Sequence, residues 1–179
     1  MVNRWVFVSS LALLAGCTSV SQVFSTKLSA VSMLAPTKGN TVSGTVNFTQ
    51  KKGFVQIEGK INGLTLNGIH AIHIHEKGNC TGDGSNAGGH FNPAGAPHGA
   101  PGSAKRHAGD LGNLTADANG QAQLSMSVSG ISLGTENDSI IGRAVIVHAS
   151  ADDLTSQPSG NAGARAACGL IGKNPDRIF

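Results

Sequence analysis

A chain of 179 residues with a formal net charge of +3 and 13% charged residues has the length for one domain around a single core and too little for two comfortable ones. Its Lys and Arg residues are scattered rather than gathered into a patch, which argues against a nucleic-acid partner. Its most apolar stretch runs for about ten residues, half of what a spanning helix needs, and so argues against a transmembrane anchor.

That stretch opens the chain. Met1 to Gly16 carries Arg4, then Trp5-Val6-Phe7-Val8, Ser9-Ser10 and Leu11-Ala12-Leu13-Leu14, the layout of a signal peptide over residues 1–16. It ends in Leu14-Ala15-Gly16-Cys17, where small residues precede a cysteine, and this resembles the lipobox of bacterial lipoproteins. The resemblance implies cleavage before Cys17 and acylation of its thiol, which would anchor the protein to a membrane on the periplasmic side of a cell envelope. An ordinary secretory peptide with an incidental cysteine is the alternative, and either one exports the mature chain. Loss of Arg4 takes one charge from +3 and leaves +2. Of three cysteines, lipidation of Cys17 leaves Cys80 and Cys168, a pair that an oxidising compartment would join. Closing so long a loop is worth roughly 4 kcal/mol in the chain-entropy account.

Residues 17–29 are Ser/Thr-rich and suit a flexible tether; the domain is expected over residues 30–179. Short alternating apolar runs follow at Thr41 to Phe48, Phe54 to Ile61, Ile69 to His75, Gln121 to Val128 and Arg143 to His148, with Lys52-Gly53, Asn62-Gly63 and Asn119-Gly120 as turn signals. Period-two runs at this spacing predict an antiparallel all-β domain, and no window carries a sustained helical period. Two segments break the rhythm. Glu76 to Asn113 holds ten glycines and three prolines without an alternating run, and Ala149 to Ala164 is Ser/Gly/Asp-rich. The first is expected to be a long ordered loop rather than a disordered insert, because it also carries His90, His98, His107, Asp110 and Cys80.

His73 and His75, two apart on an expected strand, emerge on one face, and His148 ends another apolar strand. Three imidazoles from strands suit copper, which takes nitrogen ligands in a tetragonal array. His90, His98 and His107, with Asp110 three residues further on, make a closed tetrahedral set suited to zinc.

His73-Ile-His75-Glu76, Gly88-Gly-His90-Phe-Asn-Pro93, Arg106-His107-Ala-Gly-Asp110-Leu-Gly-Asn113 and Gly160-Asn-Ala-Gly-Ala-Arg165-Ala-Ala-Cys168-Gly169 together resemble the copper/zinc superoxide dismutases, over about Ala30 to Gly172. The resemblance implies a Greek-key antiparallel β-sandwich or flattened barrel with two long functional loops. It implies copper on His73, His75, His90 and His148 and zinc on His90, His98, His107 and Asp110, with His90 bridging the metals and moving a proton in the cycle. Arg165 matches the arginine that guides the anion, and Asp152 the carboxylate that hydrogen-bonds one copper and one zinc histidine. Cys80 and Cys168 match the family's disulfide, and His70 a structural position. The substrate implied is superoxide, converted to dioxygen and hydrogen peroxide, while both a homodimer and a monomer remain open. One departure concerns steering. Ser156-Gln157-Pro158-Ser159-Gly160 is short and uncharged, so the field must come from Arg165 and the metals, with Lys77, Lys105 or Arg106 contributing if they face the channel. The competing reading is a catalytically weak copper/zinc-binding envelope lipoprotein, which would predict a missing copper ligand or a missing arginine.

Overall fold

The computed structural model describes residues 1–2 and 28–174; the expected signal peptide, Cys17 and most of the tether lie outside the described residues. Eight strands follow in chain order: β1 (Ser29–Pro36), β2 (Ser43–Lys51), β3 (Phe54–Asn62), β4 (Ile69–His75), β5 (Asp110–Thr115), β6 (Ala122–Val128), β7 (Ala144–His148) and β8 (Arg165–Lys173). They are ordered β5-β4-β7-β8-β1-β2-β3-β6, every neighbouring pair antiparallel. β5 and β6 approach one another, so the sheet curls into a nearly closed barrel. The connections β3 to β4 and β6 to β7 join strands that are not neighbours, as in a Greek key. Helical structure among the described residues is one short turn at Ser85–Ala87.

Alternation builds the elements. Val46 and Phe48 of β2 face Gly59 and Ile57 of β3 inside the barrel, while Asn47 and Glu58 pair on the solvent side. Lys52-Gly53 turns the chain between these strands with Gly53 at φ 84, a left-handed conformation that glycine adopts without strain. Burial of each such Ile, Val or Phe side chain contributes about 1.5–3 kcal/mol. The segment expected as loop through Asn113 ends sooner, at Gly109, because β5 begins at Asp110. Its alternation is broken by Gly112 at φ 79 and by a register shift opposite Ala71/His73, so the strand is not readable by period.

β4 and β7 are buried on both faces. Ile72, Ile74, Val145 and Val147 point into the barrel core, whereas Ala144 and Ile146 pack outside it with Ala87 and Cys168. The outward residues are therefore covered by the first loop, residues 76–109. A disulfide between Cys80 and Cys168, with Cα atoms 5.6 Å apart, ties that loop to β8.

Candidate metal centre

His73 and His75 share the outward face of β4, and pairing of Ile72 with Val147 brings His148 of β7 alongside. The first loop returns to the same strand: Glu76 N donates to Gly89 O at 2.9 Å and Phe91 N to Ile74 O at 2.8 Å, a short bridge that fixes His90 opposite His75. The loop then carries His98 and His107 round to Asp110 at the start of β5. Two clusters result, His73/His75/His90/His148 and His90/His98/His107/Asp110, all buried, with the candidate ligand atoms within 4.8 Å of one another in each. His90 belongs to both.

The outer hydrogen bonds decide which atom of each ring faces its cluster. His73 Nε2 donates to Asp152 Oδ2 at 2.8 Å, His75 Nδ1 to Gly88 O at 2.9 Å and His148 Nδ1 to Gly163 O at 3.2 Å. His98 Nε2 donates to Asp152 Oδ1 at 2.8 Å. Each engaged nitrogen carries its proton outward and leaves a bare lone pair pointing in. His75 Nε2 and His148 Nε2 consequently face one another at 3.4 Å with no proton between them, an arrangement that a cation relieves. In the second cluster Asp110 Oδ1 lies 2.8 Å from His90 Nδ1, 3.1 Å from His98 Nδ1 and 3.2 Å from His107 Nδ1. Metal–ligand bonds of 2.0–2.1 Å in a tetrahedron place ligand atoms roughly 3.3 Å apart, close to these separations.

Three buried ring nitrogens, His73 Nδ1, His90 Nε2 and His98 Nδ1, have no hydrogen-bond partner among the described residues. An unsatisfied buried polar atom costs about 1–3 kcal/mol, and all three are members of the clusters, so a metal ion is the partner they fit. Protonation agrees. Burial, with neighbouring His90, His148 and Arg165 adding to it, lowers His75 to about 2, and burial with His73 beside it lowers His148 to about 3. Both rings are held in the neutral form that binds metals. For Asp110 burial acts upward but is outweighed by the hydrogen bond with His90 and the Gly99 amide, which hold the carboxyl below its ordinary range. Asp152 is held low in the same way, burial being outweighed by its bonds with His73, the Leu154 amide and His98.

A funnel of about 430 Å³ opens onto the clusters, lined among others by His75, His90, His148, Pro158, Ser159 and Arg165. Among the described residues, Arg165 is the one Lys or Arg in its lining. Its Nη1 donates to Gly84 O and its Nη2 to Gly88 O at 2.6 Å, while its own carbonyl accepts from Thr37 Oγ1 at 2.6 Å. Gly88 O thus serves both His75 and Arg165. Lys77, Lys105 and Arg106 do not line the funnel; the Arg106 guanidinium is turned onto the carbonyls of His107, Ala108 and Ser129. His70 lies outside both clusters, donating from Nδ1 to His148 O at 2.9 Å and accepting from Thr65 N at 3.2 Å.

Sequence reasoning missed three groups that hold these side chains: the Gly88 and Gly163 carbonyls, and Asn113, which exchanges two hydrogen bonds with the backbone of Asp152 at 2.9 and 2.7 Å. Carbonyls leave no trace in a residue type. Asn113, like Gly88 and Gly163, lies inside one of the four motifs, which is the available signal.

The profile of the family described as copper/zinc superoxide dismutase (SODC) matches residues 42–171. The chain is 46% identical over 143 residues to the extracellular superoxide dismutase [Cu-Zn] of Caenorhabditis elegans, a match covering 76% of this chain and 63% of the nematode protein. It is also 46% identical over 140 residues to superoxide dismutase [Cu-Zn] 2 of Mesembryanthemum crystallinum, covering 74% of this chain and 88% of the plant protein. The matched part thus spans less than two thirds of the nematode relative and most of the plant one.

Proposed function

The chain belongs to the copper/zinc superoxide dismutase family, and from that premise we propose that it converts two superoxide anions and two protons to dioxygen and hydrogen peroxide. In this reading His73, His75, His90 and His148 would hold copper, and His90, His98, His107 and Asp110 would hold zinc. The observation that carries it is His90, whose two nitrogens face two different four-donor clusters. Copper in the all-imidazole cluster supplies one-electron chemistry in two oxidation states, and zinc, which has none, supplies order.

The chain's own groups do the rest. Arg165 attracts the anion into the funnel and holds it beside His75 and His148, its fork fixed by the Gly84 and Gly88 carbonyls. His90 Nε2, which has no hydrogen-bond partner among the described residues, would be free to take up a proton and pass it to the departing product only when copper does not engage it, while Nδ1, among the donors that include Asp110, would keep the ring in place. Asp152 holds His73 and His98 in one tautomer each, and so couples the two clusters. Pro158 and Ser159 line the funnel beside them.

The signal-like N-terminus supports export, and the nematode relative is named extracellular. Together with the lipobox-like residues this supports a bacterial lipoprotein, acylated at Cys17, that protects the cell envelope from superoxide on its periplasmic side. The domain division follows: signal 1–16, tether 17–29, dismutase domain 30–179. A homodimer is supported by Met33 and Leu170, which are 66% and 52% exposed and lie opposite one another in the register that pairs Ser32 with Ile171, an apolar face suited to a second copy.

Metal analysis with a superoxide-consumption assay tests the reading. Loaded protein should hold one copper and one zinc per chain. His148→Ala should abolish turnover and keep zinc, whereas Asp110→Ala should release zinc first; loss of copper alone in both variants would contradict the assignment.

A further inference from the structure

The second loop, residues 149–164, stands over the funnel without a strand of its own. Among the described residues, the hydrogen bonds that join it to the first loop all end on one residue, His98. Asp152 Oδ1 takes the ring at Nε2, 2.8 Å away. The other two bonds come from Gln157: its Oε1 accepts from His98 N at 2.8 Å, and its Nε2 donates to His98 O at 3.0 Å. The amide of Gln157 therefore grips the backbone of His98 on both sides, as an adjacent strand would, and donates also to Thr155 O at 3.1 Å within its own loop. Asn113 holds the backbone of Asp152 by the same two-bond arrangement. The two grips close a circuit, in which Asn113 fixes Asp152, Asp152 fixes the ring of His98, and Gln157 fixes the backbone from which that ring springs.

We propose that Gln157 is a positioning residue for His98: its side-chain amide sets the backbone of that residue, and thereby the aim of Nδ1 into the cluster with Asp110, while Asp152 holds the ring from its other nitrogen. This rests on zinc occupying the His90/His98/His107/Asp110 cluster. Gln157 touches no candidate ligand atom, and it is exposed, so replacing it leaves the core intact. Gln157→Met keeps the length of the side chain and removes both bonds. Gln157→Glu keeps an acceptor for His98 N and sets a second oxygen against His98 O.

The test is zinc release from the metal-loaded full chain to a chelator, read by a zinc-sensitive dye, alongside amide hydrogen exchange at His98. Groups that orient a metal ligand from outside typically change metal affinity 10–100-fold, so Gln157→Met should hold zinc about tenfold or more weakly and expose the His98 amide to exchange. Gln157→Glu should retain more of that protection and fall between Gln157→Met and wild type in zinc release. A residue that served only the fold of the loop would lower the melting temperature and leave zinc release unchanged; that result overturns the inference. Wild-type protein that holds no zinc at this cluster would instead remove the metal assignment on which the inference stands.

Discussion

Arg165 is the side chain whose removal should be felt most without loss of metal, since it is the single cation in the funnel lining among the described residues. A charge within a few ångströms of a small anion is screened by salt far less than one beyond the Debye length, about 10 Å at 0.1 M. Arg165→Ala should therefore lower the second-order rate constant roughly tenfold or more, about 1.4 kcal/mol of transition-state stabilisation. Arg165→Lys should recover part of it, because charge survives while the planar fork that meets Gly84 and Gly88 does not. Both variants should keep the copper spectrum, and the wild-type rate should fall only modestly with salt. A steep salt dependence with Arg165→Ala fully active would show that steering comes from elsewhere. The buried histidines make a second prediction, for the metal-free chain. Unfolded, they take up protons near 6.5; folded, His148 resists to about 3 and His75 to about 2. Between those values the unfolded state binds more protons, so stability must fall as pH drops from about 6.5 towards 3. Urea midpoints of metal-free protein should be level above pH 7 and decline below 6.5; midpoints that rise on acidification would contradict it. The seven candidate ligands were legible because imidazoles and carboxylates are rare inside proteins and their spacing is informative. The carbonyls of Gly88 and Gly163 are not, since any residue type supplies a carbonyl, and Gln157 sits in an uncharged loop where a grip on a backbone has no sequence pattern.

Among the elements, the first loop depends on the bond from Cys80 to β8. Gly84 and Gly88, whose carbonyls hold the Arg165 fork, lie just beyond Cys80 in that loop, and Arg165 opens the strand that contains Cys168. Replacing both cysteines by serine should cost about 2–4 kcal/mol of stability, and should also slow the reaction towards the level of Arg165→Ala, since the donors of the fork would lose fixed acceptors. Thermal melts and rate constants on the double variant check it; a full rate with a lowered melting temperature would show that the loop is positioned without the disulfide. The five strands legible in the sequence are those whose inward positions carry large apolar residues, such as Val46, Phe48, Ile57 and Ile61. β1 turns Ser32 inward, fully buried, and β8 is built from Ala166, Ala167, Cys168 and Gly169, small residues that a hydrophobic period passes over. Gly169 is small for a reason: a Cβ there would stand 2.5 Å from both Met33 O and Ser32 Oγ.

For the molecule as a whole, the proposed lipid can be separated from the catalytic unit. Cys17→Ser should release the protein from membranes while Cys80 and Cys168 still pair, because neither partner of the disulfide changes; fractionation decides it, and a membrane-bound precursor of higher mass would show that the apolar run anchors instead. The direction of β1 has a further consequence. Its last residues lie beside the start of β8, where Thr37 meets Arg165, and its first residues pair with the far end, Ala30 opposite Lys173. The eight steps from Arg165 to Lys173 span about 26 Å at 3.3 Å per residue. If the residues before Ser29 serve as the proposed tether, they join the barrel at the heel while the funnel opens at the toe, so the mouth is the part of the molecule furthest from its attachment and is left clear to collect radicals from the surrounding water.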